Sequence, residues 1–222
     1  VVDVRVAFYG VLFRPPGKGN ATIPPYVPGD VAPDLERELL EEWAAEAAQW
    51  VARMSGDAAG ALRRGRRLLV LDRERGSQAP IAIGNLIDAE LAAGDAHAAA
   101  RLGSELIASL VGTRQEYALA FARINVLAAL LAQDDVDAAR SVAPAAWANA
   151  AVFDVQHAAA AYLALFCALE GRVEAAVQLA AYSEAIYAAR GETRERNETL
   201  ATERARTLAR RVLDDATMAR LH

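Results

Sequence analysis

The chain has 222 residues and a formal net charge of −5, and 54% of its residues are hydrophobic although only 6% are aromatic. The acidic balance argues against a general nucleic-acid binder, which would carry a basic face. Cys167, the only cysteine, excludes an internal disulfide and a multi-cysteine metal site. No apolar run reaches the roughly 18 residues of a membrane span, and residues 1–10 lack the features of a signal peptide. We therefore expect a cytoplasmic chain in which Cys167 is a buried, inert thiol.

Residues 1–33 differ in kind from the rest of the chain. "VVDVRVAFYGVLF" is rich in β-branched and aromatic residues and alternates in part, which predicts one short strand. "RPPGKGNATIPPYVPGD" follows, and six of the eight prolines fall within these first 33 residues. Proline removes backbone donors, so this stretch predicts irregular structure. We treat residues 1–33 as one segment and residues 34–222 as a helical array.

The array shows four helix breaks in register. They fall at Gly56-Asp57, Gly94-Asp95, Asp134-Asp135 and Gly171-Arg172, at spacings of 38, 40 and 37 residues. The glycine of a pair is expected to be left-handed and to end the first helix, and the aspartate is expected to cap the next helix. The predicted helix hairpins cover about 35–76, 80–111, 115–150 and 154–190, with a capping helix at 192–213. A period near 38 predicts an all-α chain folded as an α-solenoid, and a plain helical bundle is the alternative.

Small residues follow each break, which indicates that the two helices of a hairpin lie close together. They are Ala59 and Ala61, Ala98 and Ala99, Ala138 and Ala139, and Ala175 and Ala176. Ala98 and Ala138 stand four residues past their breaks. We expect these two positions to have no room for more than a methyl group.

The repeat resembles the tetratricopeptide repeat in a slightly long form, with Tyr162 and Tyr182 at plausible aromatic positions. Residues 55–222, through "LLAQDDVDAARSVAPAAWANA" and "ALEGRVEAAVQLAAYSEAIYAARGETR", resemble the carboxy-terminal helical region of large bacterial ATPase-containing transcriptional regulators. That resemblance implies a sensor array that receives a small molecule or a protein and controls an ATPase. Residues 1–54, with "VRVAFYGVLFRPPGKG", resemble an early segment of a bacterial α/β-hydrolase group.

The sequence offers no catalytic constellation. It lacks the Gly-x-Ser-x-Gly nucleophile elbow of an α/β-hydrolase and the HExxH motif of zinc proteases. Its histidines, His97, His157 and His222, are far apart and fit surface or interfacial roles. "GKG" at 17–19 lacks the rest of a phosphate loop and predicts a turn, and "RRGRR" at 63–67 predicts a solvated face. We expect no catalytic residue, no metal site and no cofactor.

One set of residues predicts binding instead. Asn85, Asn125 and Tyr162 each stand nine residues before a break, so they would form a ladder along successive first helices of the hairpins. Tyr117 and Phe121 lie on the same predicted helix as Asn125, and we add them to the candidate ligand-binding residues. The ladder could hold an extended peptide or a small polar ligand, or its members could bond one another between repeats.

The sequence therefore predicts a non-catalytic scaffold that binds a protein, a peptide or a small-molecule effector. It is expected to bind neither nucleic acid nor membrane, and a homodimer is compatible with it. The alternative is a truncated or accessory part of an α/β-hydrolase-type protein.

Overall fold

The computed structural model describes residues 57–75 and 80–221, together with Gln49. Within these residues the regular structure is entirely helical, which confirms the all-α prediction for this part of the chain. The predicted strand, the proline-rich segment, the boundary at residue 33 and most of the first helix lie outside the described residues. The chain divides into two compact units, Val1–Gln78 and Ala79–His222.

The described part of the first unit is helix α1, Ala58–Arg75. The Asp57 carboxylate accepts a hydrogen bond from the backbone N–H of Gly60 at 2.8 Å, which caps the start of the helix. One face is buried through Ala61, Gly65 and Leu68. The four arginines of residues 63–67 are exposed, as a solvated face requires.

The second unit contains eight helices within its described residues. They are α2 (Pro80–Ala92), α3 (Ala96–Leu110), α4 (Glu116–Ala132), α5 (Val136–Val152), α6 (Gln156–Leu169), α7 (Val173–Arg190), α8 (Arg196–Ala209) and α9 (Asp215–Leu221). From α2 to α8, each helix packs against the next. Helices α2, α4 and α6 also pack in sequence against one another, and α4 and α6 are buried over most of their length. We call these three the inner helices, and α3, α5 and α7 the outer helices.

The three turns from an inner to an outer helix share one geometry. Gly94, Asp134 and Gly171 have φ values of 90°, 58° and 77°, in the left-handed region that ends a helix. In each turn the next residue's N–H donates to a carbonyl five residues earlier, through the pairs Asp95–Glu90, Asp135–Leu130 and Arg172–Cys167. The predicted left-handed glycine is thus confirmed at Gly94 and Gly171, and Asp134 adopts the same conformation at the break that lacks a glycine.

The predicted aspartate caps are also present in this unit. The Asp95 carboxylate accepts a hydrogen bond from the Ala98 N–H at 2.9 Å, and the Asp135 carboxylate accepts one from the Ala138 N–H at 3.0 Å. At the third turn Arg172 occupies the cap position and makes no side-chain capping bond. A carboxylate satisfies an N–H group that would otherwise lack a partner at the helix start.

The expected tight position is wrong by one residue. Ala98 and Ala138 are half-buried, whereas the fully buried residues are Ala61, Ala99, Ala139 and Ala176, each five residues past its break. Successive residues of an α-helix point about 100° apart, so a shift of one residue changes the contact with the inner helix.

The predicted capping helix at 192–213 is a shorter helix, α8, and a further helix, α9, follows beyond the predicted range. Helix α8 packs against α6 and α7 and also reaches α2, which brings the two ends of the unit into contact. Asn197 of α8 donates to the Asp88 backbone carbonyl at 3.0 Å and to the Asp88 carboxylate at 2.6 Å. Helix α8 therefore lies against the inner helices rather than only extending the row.

Candidate functional site

The predicted ladder residues are partly or fully buried, and one of them forms a hydrogen bond within the protein. The Asn125 amide donates to the Gly84 backbone carbonyl on α2 at 3.2 Å, so it joins two neighbouring inner helices. Asn85 is half-buried on α2, and Tyr162 on α6 is only 4% exposed. The Asn125 bond joins neighbouring repeats, but it ends on the Gly84 backbone and not on another member of the ladder. Tyr162 can meet a ligand only if neighbouring groups move away.

Tyr117 and Phe121 belong to an aromatic patch, defined here as the exposed Tyr117 and the half-buried Phe121 and Phe153. The Tyr117 ring centre lies 5.0 Å from that of Phe121 and 5.5 Å from that of Phe153, in an edge-on arrangement for the second pair. Tyr117 remains 49% exposed, and Val152, next to Phe153 in the chain, is 73% exposed. Aromatic rings held in this way are rigid and bury large areas when a partner covers them.

A second aromatic pair lies on the outer helices. Trp147 of α5 and Tyr182 of α7 have ring centres 6.5 Å apart and are 37% and 39% exposed. Neither residue was among the predicted binding residues. The pair therefore provides a comparison surface of similar chemistry on the same protein.

A buried polar cluster, which the sequence reasoning did not predict, lies where α2, α6, α7 and α8 meet. The Tyr187 hydroxyl donates to the Glu198 carboxylate at 2.6 Å, and the Tyr187 and His157 rings stack edge-on with centres 4.7 Å apart. Ser183 donates to the His157 backbone carbonyl at 2.8 Å. With Asp88 and Asn197, these groups bring polar chemistry from four helices into one buried region.

Burial shifts the acid–base behaviour of this cluster. It raises the pKa of Glu198 to about 8, the neighbouring Glu195 charge adds to the rise, and the hydrogen bond from Tyr187 opposes it. Burial also raises the pKa of Tyr162 well above its ordinary value, helped by the charge of Glu198. Desolvation lowers the pKa of His157, although Glu192 lies 3.4 Å from its ring nitrogen.

Cys167 is buried, and desolvation raises the pKa of its thiol. A thiol is nucleophilic mainly as the thiolate, so this environment suppresses its reactivity. The predicted burial of Cys167 is confirmed.

A shallow depression of about 540 Å³ lies beside the turns that follow α4 and α6. Its charged side chains pair with one another: Arg140 contacts Asp137 at 2.5 Å and Glu170 at 2.8 Å, and Arg172 contacts Glu170 at 2.7 Å. These ion pairs are largely exposed on the arginine side and leave little charge uncompensated for a ligand. The depression is therefore a weaker candidate than the aromatic patch.

No protein-family model, curated protein or solved structure matches the chain. In the part of the chain that the structure describes, no helix is long and apolar enough to cross a membrane. Across the same residues, no group of three or more histidine, cysteine, aspartate or glutamate side chains is arranged to hold a metal ion.

Proposed function

We propose that residues 34–222 form a non-catalytic, peptide- or protein-binding scaffold built as an α-solenoid of tetratricopeptide-like hairpins with a period near 38. The observation that carries this proposal is the repeated turn: a left-handed residue, followed five residues later by a fully buried alanine. Hairpins of this kind expose apolar surface to their neighbours and present side chains at regular intervals. Such arrays suit recognition rather than chemistry.

The aromatic patch is the proposed binding surface. Of the five candidate residues, Tyr117 is the most exposed, whereas Asn125 is bonded to α2 and Tyr162 is buried. Tyrosine and phenylalanine at a rigid exposed site commonly supply most of the affinity for an apolar partner side chain. The partner proposed is therefore a peptide segment with an aromatic or large aliphatic residue.

We place this scaffold, by resemblance, in the sensor region of a bacterial transcriptional regulator in the cytoplasm, where its ligand would control an ATPase. A small-molecule effector and a homodimer remain compatible with the same surface. The alternative, a part of an α/β-hydrolase-type protein, depends on residues 1–54, and nothing among the described residues favours it.

The test is selection of random twelve-residue peptides displayed on phage against the full-length chain, followed by affinity measurements with the synthetic peptides obtained. Tyr117→Ala should weaken binding about tenfold or more, the usual effect of removing a central aromatic contact. Tyr182→Ala is the matched control, because it removes an exposed tyrosine from the outer helices. Selected peptides that bind both variants as tightly as the unmodified protein would contradict the proposed surface.

A further inference from the structure

The contact between α8 and α2 buries few apolar atoms. The residues that α8 buries are small or polar: Asn197, Glu198, Ala201, Thr202, Ala205 and Ala209. Alanine and threonine contribute little apolar area compared with leucine or phenylalanine. The closure of α8 over the inner helices thus depends strongly on its polar contacts.

Arg204 of α8 bonds the Leu131 carbonyl and the Asp134 carboxylate at the end of α4, and Arg206 pairs with Glu184 of α7. The buried polar contacts at the start of α8 come from two neighbouring residues. Asn197 donates to the backbone and side chain of Asp88 on α2, across 109 positions of the chain. Glu198 accepts from Tyr187 of α7 at 2.6 Å and from its own helix cap, the Glu195 N–H, at 3.4 Å. Within the described residues no ion pair joins Glu198 to a cation.

Burial and the charges of Glu195 and Asp88 favour the neutral form of Glu198, whereas the hydrogen bonds from the Tyr187 hydroxyl and the Glu195 N–H favour the ionised form. The titratable and charged groups that face it or its direct partners are Asp88 on α2, Tyr162 and His157 on α6, Tyr187 on α7, Glu192, Arg194 and Glu195 before α8. The Arg194 guanidinium stacks on Tyr187 at 5.5 Å, bonds Thr202 at 3.1 Å and pairs with Glu184 of α7 at 3.4 Å. An ionised Glu198 would add a negative charge beside Asp88 and Glu195 in a buried region.

We propose that α8 closes over α2 and α6 in a proton-dependent manner, held shut while Glu198 is neutral and loosened when that carboxyl ionises. Loosening would uncover Tyr162 and Asp88 on the inner helices. The inference goes beyond the proposed function, because it concerns access to the inner face rather than binding at the aromatic patch.

The direction with pH follows from the two states of Glu198. In the closed state the pKa of Glu198 is about 8. In the open state, where water reaches the carboxyl, the pKa would return toward its ordinary value of 4.5. The closed state therefore binds the proton more tightly, so acid favours closure and the equilibrium for opening rises between pH 4.5 and 8. Within this range the equilibrium constant for opening rises by nearly tenfold per pH unit. It levels off above pH 8, where Glu198 is ionised in both the closed and the open state.

The test is hydrogen–deuterium exchange of the full-length chain, followed by mass spectrometry at pH 5.5, 7 and 8 and corrected for intrinsic exchange rates. The protection of residues 196–209 should fall by tenfold or more from pH 5.5 to 8, while α4 stays protected. Glu198→Gln should remove this dependence, because the amide cannot ionise. Glu203→Gln, at an exposed position of the same helix, should keep it.

A second pair of variants tests the closure without changing Glu198. Asn197→Asp places a carboxylate against that of Asp88 and should lower α8 protection at least tenfold at pH 7. Leu200→Asp adds the same charge at an exposed site of α8 and should leave protection nearly unchanged.

The proposal is overturned if α8 protection does not change with pH in the unmodified protein. It is overturned equally if Glu198→Gln retains the full pH dependence, and neither outcome depends on peptide binding at the aromatic patch.

Discussion

Two glycines in helix interiors should respond to alanine with opposite signs. In α2, a methyl group built on Gly84 has no heavy atom within 4 Å apart from its own helix backbone and chain neighbours. In α3, a methyl group on Gly103 would lie closer than 3.0 Å to Cγ2 of Val126 on α4. Val126 is buried and β-branched, so it has little freedom to rotate away. Comparing the two variants therefore separates the effect of helix propensity on stability from the effect of side-chain packing.

The expected changes in the free energy of unfolding follow from these surroundings. Alanine is favoured over glycine in a helix by about 1 kcal/mol, so Gly84→Ala should raise the free energy of unfolding by about 0.5–1 kcal/mol. At Gly103 the same gain competes with an overpacking cost of about 1–3 kcal/mol, which leaves a net loss of up to about 2 kcal/mol. The melting temperatures of the two variants should then differ by about 3 °C or more.

The assay is urea denaturation and thermal melting followed by far-ultraviolet circular dichroism. A third measurement isolates the cause: in a Val126→Ala background, which removes the obstructing methyl groups, Gly103→Ala should become stabilising. A double-mutant cycle with no coupling between these positions would refute the packing of α3 on α4 described here. Equal stabilisation by Gly84→Ala and Gly103→Ala would also refute this packing of α3 on α4.

Three further outcomes are expected. Asp95→Ala and Asp135→Ala should each lower the free energy of unfolding by about 1 kcal/mol through loss of a helix cap, and an unchanged denaturation midpoint would contradict the capping role. Ser183→Ala, which leaves the buried His157 carbonyl without its partner, should cost about 1–3 kcal/mol in urea denaturation, whereas Ser141→Ala at an exposed site should cost little. Cys167 should react with Ellman's reagent at the rate of global unfolding, and rapid labelling of the native chain would show that the thiol is accessible.

Local features of the fold could be predicted from the sequence. Gly94, Gly171 and the two aspartate caps act within a few residues of themselves, so the breaks and the helices between them follow from local chemistry. Helix α9 was not predicted, although Asp214 caps it through the Thr217 N–H at 2.8 Å and so offered a local signal.

Other features of the fold depend on how helices that are distant in the sequence pack against one another. The Asn197–Asp88 contact joins residues 109 positions apart, and no spacing in the sequence indicates it. The tight alanine was misplaced by one position because spacing alone does not give the rotation of one helix against another. Of the candidate site, Tyr117 is exposed as a binding surface requires and Phe121 is half-buried, but Tyr162 is covered by contacts that only the folded chain creates.

The proposed solenoid requires equivalent hairpins, each closed by a buried alanine five residues past its turn. Thermal melting of Ala139→Leu beside Ala138→Leu tests this requirement, because the two changes add the same atoms at adjacent positions. Ala139 is fully buried and Ala138 is half-buried, so Ala139→Leu should cost roughly 1–3 kcal/mol and Ala138→Leu clearly less. A melting temperature that falls by several degrees only for Ala139→Leu is the predicted result. Equal melting temperatures for the two variants, or a larger loss for Ala138→Leu, would contradict the hairpin register and with it the scaffold.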